Sequence, residues 1–436
     1  MRVLRVYHGG RNAQHRARER ALMTTGVELV LVVPADWPEE TFADPLDEEF
    51  RIVELPVARP GDVNRHAYTS PATLSLLIED VRPDVLDLHE EPFSIASRQW
   101  QAAAPVELPI VMYTAQNVDK RFPPPFARYE RNAYRRVAAL YPCSAQAASV
   151  ARGKGFDGLI DVLPLGYDEA AFAPGSQSFD DDEIVLAFFG RLVPEKGVTD
   201  AVRILAGVHS ARPARLVIMG RGPEERAARA VAVGLGVADR VQLAPWQSTA
   251  ELAAMYREAH VVLVPSRPTA TWVEQFGRVI VEAQASGAVV AGYATGSIPE
   301  VAGAAAILTE VGAVSQLTDR IVELAVQSVD FAQRREQGIA QSATRTWTRV
   351  AERQADLYRH VAAGEIERVE LPPSPRKRRA AARAEFGATA STTAGTRPFA
   401  LPPLRRGGTA TSALARALDG TAELAAWVRK TRLVPR

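Results

Sequence analysis

The chain has 436 residues, an apolar fraction of 47% and a formal net charge of +1, a composition that fits a globular protein with two hydrophobic cores. No stretch approaches the roughly 20 consecutive apolar residues of a membrane-spanning helix, and no signal-peptide pattern opens the sequence. We therefore expect neither a membrane-spanning nor a secreted protein. The single cysteine, Cys143, excludes an intramolecular disulfide, fits a reducing cytoplasm and is predicted to be a small buried hydrophobe.

Residues 1–166 alternate short apolar runs with helical patterns, which predicts a first α/β domain. A strand over residues 1–7, a turn at Gly9 and Gly10, a helix over 14–23 and a strand over 27–33 make a βαβ opening. The turn lacks the full glycine fingerprint of dinucleotide-binding enzymes, so a nicotinamide oxidoreductase is not predicted. Further predicted elements are a helix over 70–81, a strand over 84–88, a helix from 94 and a strand over 109–113.

Polar clusters follow two of these strands. His89 opens the first cluster, and Gln116 and Asn117 close the second. Ligands of open α/β sheets bind beyond the carboxyl ends of the strands, so we expect these three side chains to line a ligand-binding cleft. For His89, the alternative of a hydrogen-bonded structural residue stays open. A basic helix from residue 127, with Arg128, Arg131, Arg135 and Arg136, predicts either contact with an anionic acceptor or membrane, or a solvated surface.

Residues 167–183 are predicted to be a linker, and residues 184–344 a second α/β domain. Its first strand, over 184–188, leads to Gly190 and Arg191, and Lys196 follows at the start of a helix. Arginine can bind a pyrophosphate through two hydrogen bonds and lysine as a point charge. Both cations would also offset the charge that develops on a departing nucleoside diphosphate. A strand over 215–219 then ends at Gly220.

The second domain is organised around the segment from Glu274 to Glu282. A buried strand is predicted over 260–264 before it, and a helix is predicted from Gly277 to a C-terminal glycine at 287. The N–H groups of Phe276 and Gly277, at the positive end of that helix, suit a pyrophosphate. Glu282 could then accept hydrogen bonds from ribose hydroxyls, and Glu274 could reach the sugar. The alternative is two solvated glutamates on an amphipathic helix.

The end of the chain changes character. Residues 345–363 predict an amphipathic closing helix. From residue 371 onward, 13 Lys and Arg stand against 3 Asp and Glu, while the preceding residues carry 39 against 48, so a basic tail follows an acidic body. Residues 364–436 predict a disordered tail. Its segment 412–428 has the apolar spacing of a helix that could rest on an anionic membrane or a partner. No nucleic-acid recognition fold accompanies the basic run.

Three ordered motifs resemble those of the family-four retaining glycosyltransferases of the GT-B fold. They are Pro164-Leu165-Gly166-Tyr167-Asp168, the run from Phe189 to Gly197, and the run from Pro265 to Glu300 with Glu274, Phe276-Gly277 and Glu282-Ala283. The resemblance implies two facing Rossmann-like domains, with the closing helix returning to the first. It also implies that Gly10 faces the donor phosphates and Gly220 borders the nucleoside base. Many family members carry a histidine that contacts the transferred sugar where this chain has Gln116, so the resemblance implies that His89, Gln116 and Asn117 face the acceptor or the transferred sugar.

We therefore hypothesise a retaining, metal-independent glycosyltransferase without a cofactor. It would use a nucleoside-diphosphate sugar and a glycan, lipid or small-molecule acceptor, in the cytoplasm or at the inner face of the cell membrane. The predicted catalytic residues are Glu274, Arg191 and Lys196. The predicted donor-binding residues are Gly10, Gly190, Gly220, Phe276, Gly277 and Glu282. The alternatives are an epimerase of the same fold and an inactive sugar-nucleotide-binding module whose tail recruits partners. A glycan phosphorylase is not favoured because no cofactor-binding lysine motif is present.

Overall fold

A computed structural model describes residues 1–38, 46–178, 183–244 and 248–364. Part of the predicted linker and nearly all of the predicted basic tail, including its amphipathic segment, lie outside the described residues. Within the described part of the chain, no helix is both long and apolar enough to cross a membrane.

The first half of the described chain forms a parallel sheet of seven strands in the order β3-β2-β1-β6-β7-β8-β9, and a small antiparallel pair, β4-β5. The strands are β1 (Arg2–Val6), β2 (Glu28–Pro34), β3 (Arg51–Leu55), β4 (Val57–Ala58), β5 (Ala67–Tyr68), β6 (Val85–Leu88), β7 (Ile110–Thr114), β8 (Ala139–Pro142) and β9 (Leu159–Ile160). The helices of this half are α1 (Ala17–Met23), α2 (Pro71–Val81), α3 (Ile95–Ala103), α4 (Phe126–Arg136) and α5 (Ala145–Gly153).

The second half forms a parallel sheet of six described strands in the order β12-β11-β10-β13-β14-β15. These are β10 (Ile184–Phe189), β11 (Ala214–Met219), β12 (Val241–Ala244), β13 (Val261–Val264), β14 (Val289–Tyr293) and β15 (Ile307–Thr309). Its helices are α6 (Val198–Ala211), α7 (Glu225–Gly234), α8 (Thr249–Glu258), α9 (Arg278–Ala285), α10 (Ile298–Ala302), α11 (Val314–Val326), α12 (Ser328–Ser342) and α13 (Trp347–Ala362). The expectation of an α/β fold with two Rossmann-like parallel sheets is confirmed.

The central strands are apolar runs because helices cover both faces of each sheet. Every residue of β10 and β13 is buried, as expected for parallel strands. Helices begin where side chains cap the free N–H groups: Ser94 accepts a hydrogen bond from the N–H of Ser97 at the start of α3. Ser248 and Glu251 form a reciprocal capping box at α8.

The predicted helix over residues 14–23 is wrong at its start. The Asn12 side chain accepts a hydrogen bond from the N–H of Gln14 and begins a separate 3₁₀ turn, Ala13–His15. The α-helix begins only at Ala17. Asparagine therefore caps a short turn here, since its side chain competes with the helical hydrogen-bond pattern.

The last described helix, α13, packs against α1 and the first sheet. Its Ala351, Ala355 and Tyr358 share an apolar core with residues of β1 and β2. The Tyr358 hydroxyl also donates a hydrogen bond to Asp87 of β6, which is fully buried and paired with Arg5 of β1. A residue late in the chain thus helps to satisfy a buried charge inside the first sheet.

Candidate functional site

The predicted catalytic residues lie on loops at the carboxyl ends of neighbouring strands. Lys196 ends a 3₁₀ turn, Pro194–Lys196, between β10 and α6, and Glu274 lies in the loop between β13 and α9. Strands β10 and β13 are adjacent and parallel. Their loops therefore meet at one edge of the sheet, which is where open α/β sheets bind ligands.

Lys196 and Glu274 form a direct ion pair. The Lys196 Nζ lies 2.7 Å from the Glu274 Oε2, although the two residues are 78 positions apart. The Ser266 hydroxyl donates to the same oxygen at 2.9 Å. Glu274 is only 6% exposed, so the charge of its carboxylate is compensated by a cation and a hydroxyl. Its other oxygen, Oε1, accepts no hydrogen bond from a described residue and can accept one from a ligand hydroxyl.

Two glycines allow this loop to pack closely. Gly197 has a φ of +73°, and a Cβ there would lie 2.1 Å from the carbonyl oxygen of Pro265. Gly296 has a φ of +55°, and a Cβ there would lie 2.4 Å from the carbonyl oxygen of Glu274. Only glycine fits such close approaches in the left-handed region. The positions of Lys196 and Glu274 therefore depend on these two residues.

The N-terminus of α9 is open beside this ion pair. Gly277 precedes α9 with a φ of +82°. The N–H groups of Phe276 and Gly277 donate no hydrogen bond to any described residue, so they are available to an anion. Just after β10, a Cβ on Gly190 would meet no atom within 4 Å. The exposed Arg191 forms no ion pair with a described side chain. A pyrophosphate bound at these residues stays a prediction.

Glu282 is held by two side chains of its own domain. The Arg278 Nε lies 2.9 Å from its Oε1, and the Tyr256 hydroxyl donates to its Oε2 at 3.0 Å. Burial raises the pKa of Glu282, while Arg278 and Tyr256 oppose that rise. Arg278 is 41% exposed at its side chain. Burial raises the pKa of Tyr7 in the first half, and the charge of Arg278 opposes that rise.

Two predicted donor glycines have close packing of their own. The N–H of Gly10 donates to the carbonyl of Tyr7 at 3.1 Å within a 3₁₀ turn, His8–Arg11, so it is not free for a phosphate. A Cβ on Gly220 would lie 1.8 Å from the carbonyl oxygen of Gly190. Gly220 therefore allows the two strand ends to approach each other. A role for either glycine at the donor stays a prediction.

The first half contributes residues that bind the Glu274 loop. The Asn117 Nδ2 donates to the carbonyl oxygen of Glu274 at 2.8 Å. The Gln275 Nε2 in turn donates to the carbonyl oxygen of Ala115 at 3.0 Å. The predicted sugar-facing Asn117 thus contacts the backbone of a predicted catalytic residue. The loop that carries Glu274 is bonded to both halves of the chain.

The side chains of His89 and Gln116 are buried. His89 stacks on Tyr113 with ring centroids 4.1 Å apart and meets the edge of Tyr7 at 4.4 Å. Burial, together with the charge of Arg5, lowers the pKa of His89 well below its usual value, so the ring is neutral. The Gln116 Nε2 donates to the carbonyl oxygen of Val118 at 2.5 Å. Contact of either residue with a sugar stays a prediction.

Sequence reasoning missed Tyr256 and Arg278 as partners of Glu282. Arg278 carries a signal, since arginine four residues before a glutamate on one helix is an ordinary ion-pair spacing. Tyr256 carries none, because its contact depends on how α8 packs against α9. The prediction for Cys143 is confirmed: the thiol is free and buried, and burial raises its pKa to about 12.

Two family models match the chain in succession. The model described as "Glycosyltransferase Family 4" matches residues 19–171, and that described as "Glycosyl transferases group 1" matches residues 171–340. Together they include every predicted site residue except Gly10. The first sheet and the second sheet each fall largely within one of the two matches.

Curated relatives match a smaller part of the chain than the two family models do. A protein named D-inositol 3-phosphate glycosyltransferase from Segniliparus rotundus is 39% identical over 152 residues, which are 32% of this chain and 33% of the relative. A protein of the same name from Acidothermus cellulolyticus is 38% identical over 156 residues, 32% of this chain and 34% of the relative. The chain thus spans about a third of the length of the curated relatives it matches.

Solved structures match over most of the chain. Sucrose-phosphate synthase from Thermosynechococcus elongatus has a TM-score of 0.66 and 17% identity, covering 84% of this chain and 100% of that one. The Anabaena protein HepE, solved in complex with UDP and glucose, has a TM-score of 0.64 and 17% identity, covering 82% and 99%. At these identities the likeness shows the fold alone.

Proposed function

Because the chain belongs to the family-four glycosyltransferases of the GT-B fold, we propose that it transfers a sugar from a nucleoside-diphosphate sugar to an acceptor hydroxyl. The observation that carries the proposal is the Lys196–Glu274 ion pair beside the open N-terminus of α9. A cation, free N–H groups and a buried carboxylate with one available oxygen suit a pyrophosphate joined to a sugar.

The proposed reaction depends on stabilising the leaving group. As the bond between the sugar and the diphosphate breaks, negative charge grows on the departing phosphate. Lys196, Arg191 and the N–H groups at Phe276 and Gly277 would stabilise that charge, and each such group is often worth about 10²–10³ in rate. The Glu274 Oε1 would orient the sugar. The acceptor hydroxyl would attack on the face that the leaving group vacates, and the product would keep the donor's anomeric configuration.

Glu282 is proposed to bind the ribose hydroxyls of the donor. Arg278 and Tyr256 contact different oxygens of its carboxylate. Each carboxylate oxygen has two lone pairs, so each can still accept one more hydrogen bond. The two donors thus fix the orientation of Glu282 without using all of its acceptor capacity.

The acceptor class is proposed more broadly as a glycan, a lipid or a small molecule. The name shared by the two relatives makes D-inositol 3-phosphate one compound to test. Contact with an anionic membrane surface is also proposed, through Arg128, Arg131 and Arg135 of α4, which are exposed. Clusters of basic side chains are attracted to anionic lipids.

The direct test is product analysis by NMR. The full chain would be incubated with a panel of UDP- and GDP-sugars and candidate acceptors, and the anomeric protons would be followed. The proposal expects release of nucleoside diphosphate and a product with the donor's anomeric configuration. A product of inverted configuration, or an epimerised sugar nucleotide, would contradict it. Glu274→Gln should abolish the reaction. Glu130→Gln is the control, since Glu130 pairs with Lys154 elsewhere in the first half.

A further inference from the structure

The loop over residues 265–273 follows β13 and is bonded to the turn that carries Lys196. The backbone N–H of Arg267 donates to the carbonyl oxygen of Glu195, in that turn, at 2.8 Å. The guanidinium of Arg267 also pairs with Asp200 of α6, with its Nε 2.8 Å and its Nη2 2.6 Å from the Oδ2. Asp200 is only 1% exposed, and a buried carboxylate bonded twice by one arginine holds that arginine in place. The loop therefore has a fixed position relative to Lys196.

The end of this loop is a tight turn that leads to Trp272. The Thr269 hydroxyl accepts hydrogen bonds from the N–H groups of Thr271 and Trp272, at 3.3 and 3.0 Å. The N–H of Thr269 donates to the carbonyl oxygen of Trp272 at 2.8 Å. Threonine hydroxyls stabilise turns in this way. The backbone of Trp272 is therefore held by hydrogen bonds, although residues 267–271 are exposed.

The indole of Trp272 lies against the ammonium of Lys196. The Lys196 Nζ is 5.2 Å from the centroid of the ring and 2.7 Å from the Glu274 Oε2. An ammonium within about 6 Å of an aromatic centroid is attracted by the face of the ring, and the attraction is strongest for tryptophan. The Lys196 side chain is still 23% exposed. Its charge is thus held between a carboxylate and a ring and remains open to a ligand.

The ring supplies a restraint that the ion pair does not. A lysine ammonium is a point charge on a flexible stem of four carbons, and a diphosphate would compete with Glu274 for it. Attraction to the face of a ring acts on the charge and is not directed at a single acceptor atom. Lysine also has three N–H donors. Lys196 can therefore bond both Glu274 and a phosphate oxygen while it stays beside Trp272.

We propose that Trp272 is a positioning residue of the donor site, which holds the Lys196 ammonium where it meets a diphosphate oxygen. The ring acts through Lys196 and not through contact with the reacting atoms. Electrostatic stabilisation is most effective when the charge is in place before the reaction begins. The inference rests on the proposed glycosyltransferase function and deepens it by naming the residue that orients the cation at the leaving group.

The test measures the binding of UDP and GDP to the full chain by titration calorimetry. The variants are Trp272→Phe, which keeps a smaller ring, and Trp272→Leu, which keeps an apolar side chain without a ring. We expect the affinity to fall in the order wild type, Trp272→Phe, Trp272→Leu, with a loss of about tenfold for leucine. A thermal melt of each protein without nucleotide checks that the variants are folded.

Phe122→Leu is the matched control. The Phe122 ring centroid lies 4.8 Å from the Nζ of Lys154, which pairs with Glu130 at 2.8 Å in the first half of the chain. This variant also removes a ring from a lysine that is paired with a glutamate, but away from the proposed donor site. It should therefore bind UDP or GDP as the wild type does.

A double-mutant cycle separates an effect through Lys196 from a loss of packing. Trp272→Leu, Lys196→Met and the double variant would be unfolded in denaturant without nucleotide. We expect Trp272→Leu to lower the free energy of unfolding less in the Lys196→Met background than in wild type, since the ammonium is then absent. Equal losses in the two backgrounds would overturn the inference, because the ring would then only fill space.

Nucleotide binding by the wild type separates this inference from the proposed function. Graded losses in the two Trp272 variants, with Phe122→Leu unchanged, would support the positioning role. Binding by wild type that Trp272→Phe and Trp272→Leu weaken equally, or not at all, would overturn that role alone. A wild type that binds neither UDP nor GDP would overturn both the positioning role and the glycosyltransferase proposal.

Discussion

Asn117 of the first half of the chain donates a hydrogen bond from its Nδ2 to the backbone carbonyl of Glu274 in the second half, at 2.8 Å. Both residues are nearly buried. The carboxylate that we expect to orient the sugar is therefore positioned by a residue attached to the opposite sheet. A movement of one sheet relative to the other would therefore displace Glu274.

Asn117→Ala should reduce both the rate of sugar transfer and the stability of the fold. Expressed as free energies, the loss in the rate should be the larger of the two. The Glu274 carbonyl would keep the hydrogen bond from the N–H of Ser297 at 3.0 Å, so the variant loses one hydrogen bond, which is worth about 0.5–1.5 kcal/mol. The displacement of Glu274 would also lower the rate of sugar transfer. The measurement is the steady-state rate beside a thermal melt. A variant with wild-type kcat and only a lower melting temperature would show that Asn117 has a structural role alone.

The effects of Lys196→Met and Glu274→Gln on the free energy of unfolding should be strongly coupled. Removing Lys196 leaves the buried Glu274 without its cation, so stability falls, whereas the double variant removes both charges. We expect a double-mutant cycle in denaturant unfolding to give a coupling energy of about 1–3 kcal/mol. Additive single effects would show that the ion pair is not formed in solution. Lys154→Met with Glu130→Gln is a comparison pair at 2.8 Å.

Gly296→Ala should destabilise the chain, and Gly234→Ala should not. At Gly296 the φ is +55° and a Cβ would meet the carbonyl of Glu274, while a Cβ at Gly234 meets nothing within 4 Å. The left-handed conformation alone costs a non-glycine residue about 1–2 kcal/mol. Gly234 ends α7, where alanine is neutral or slightly stabilising. Equal melting temperatures for the two variants would contradict the packing described for the Glu274 loop.

The contribution of Glu91 to the free energy of unfolding should fall as the pH rises from 4.5 to 7. Burial raises the pKa of Glu91 from 4.5 to about 7, although the N–H of Ala115 and the hydroxyl of Thr114 oppose the rise. The folded state then holds a proton that the unfolded state has released, so this contribution is complete below pH 4.5 and lost above pH 7. Melting temperatures of wild type and Glu91→Gln, measured across that range, should diverge. Parallel curves would contradict the raised pKa.

Transfer should continue in the presence of a chelator. The positive charge that the diphosphate needs is proposed to come from Lys196, Arg191 and the N-terminus of α9. We therefore expect the rate with EDTA to equal the rate without it. Activity that is lost with EDTA and restored by Mn²⁺ would contradict metal independence.

Much of the fold and of the donor side could be predicted from the sequence. Parallel strands buried on both faces, such as β10 and β13, are continuous apolar runs. Glycines at the strand-to-helix turns then indicate where backbone and ligand approach each other. The resemblance to family-four glycosyltransferases, carried by those turns, is confirmed by the two family models.

The remainder depends on contacts between distant parts of the chain. Strand β3 was missed because it is an edge strand with little buried surface. His8 and Glu90 are 82 positions apart, and nothing local indicates that they pair. Asn117 was predicted to face a sugar, and in the structure its side-chain amide donates a hydrogen bond to a backbone carbonyl 157 positions away. Side-chain type predicted the polar character of these loops, but their partners follow from tertiary packing.

The central claim is that the edge of the second sheet binds a nucleoside diphosphate, and thermal melting tests it most directly. A ligand at a hundred times its dissociation constant should add about 2.7 kcal/mol of stability. We predict that UDP or GDP raises the midpoint of wild type and of Lys154→Ala, and that Lys196→Ala and Glu282→Ala lose the response. An absent shift with every nucleotide, or an equal shift in all four proteins, would contradict the account.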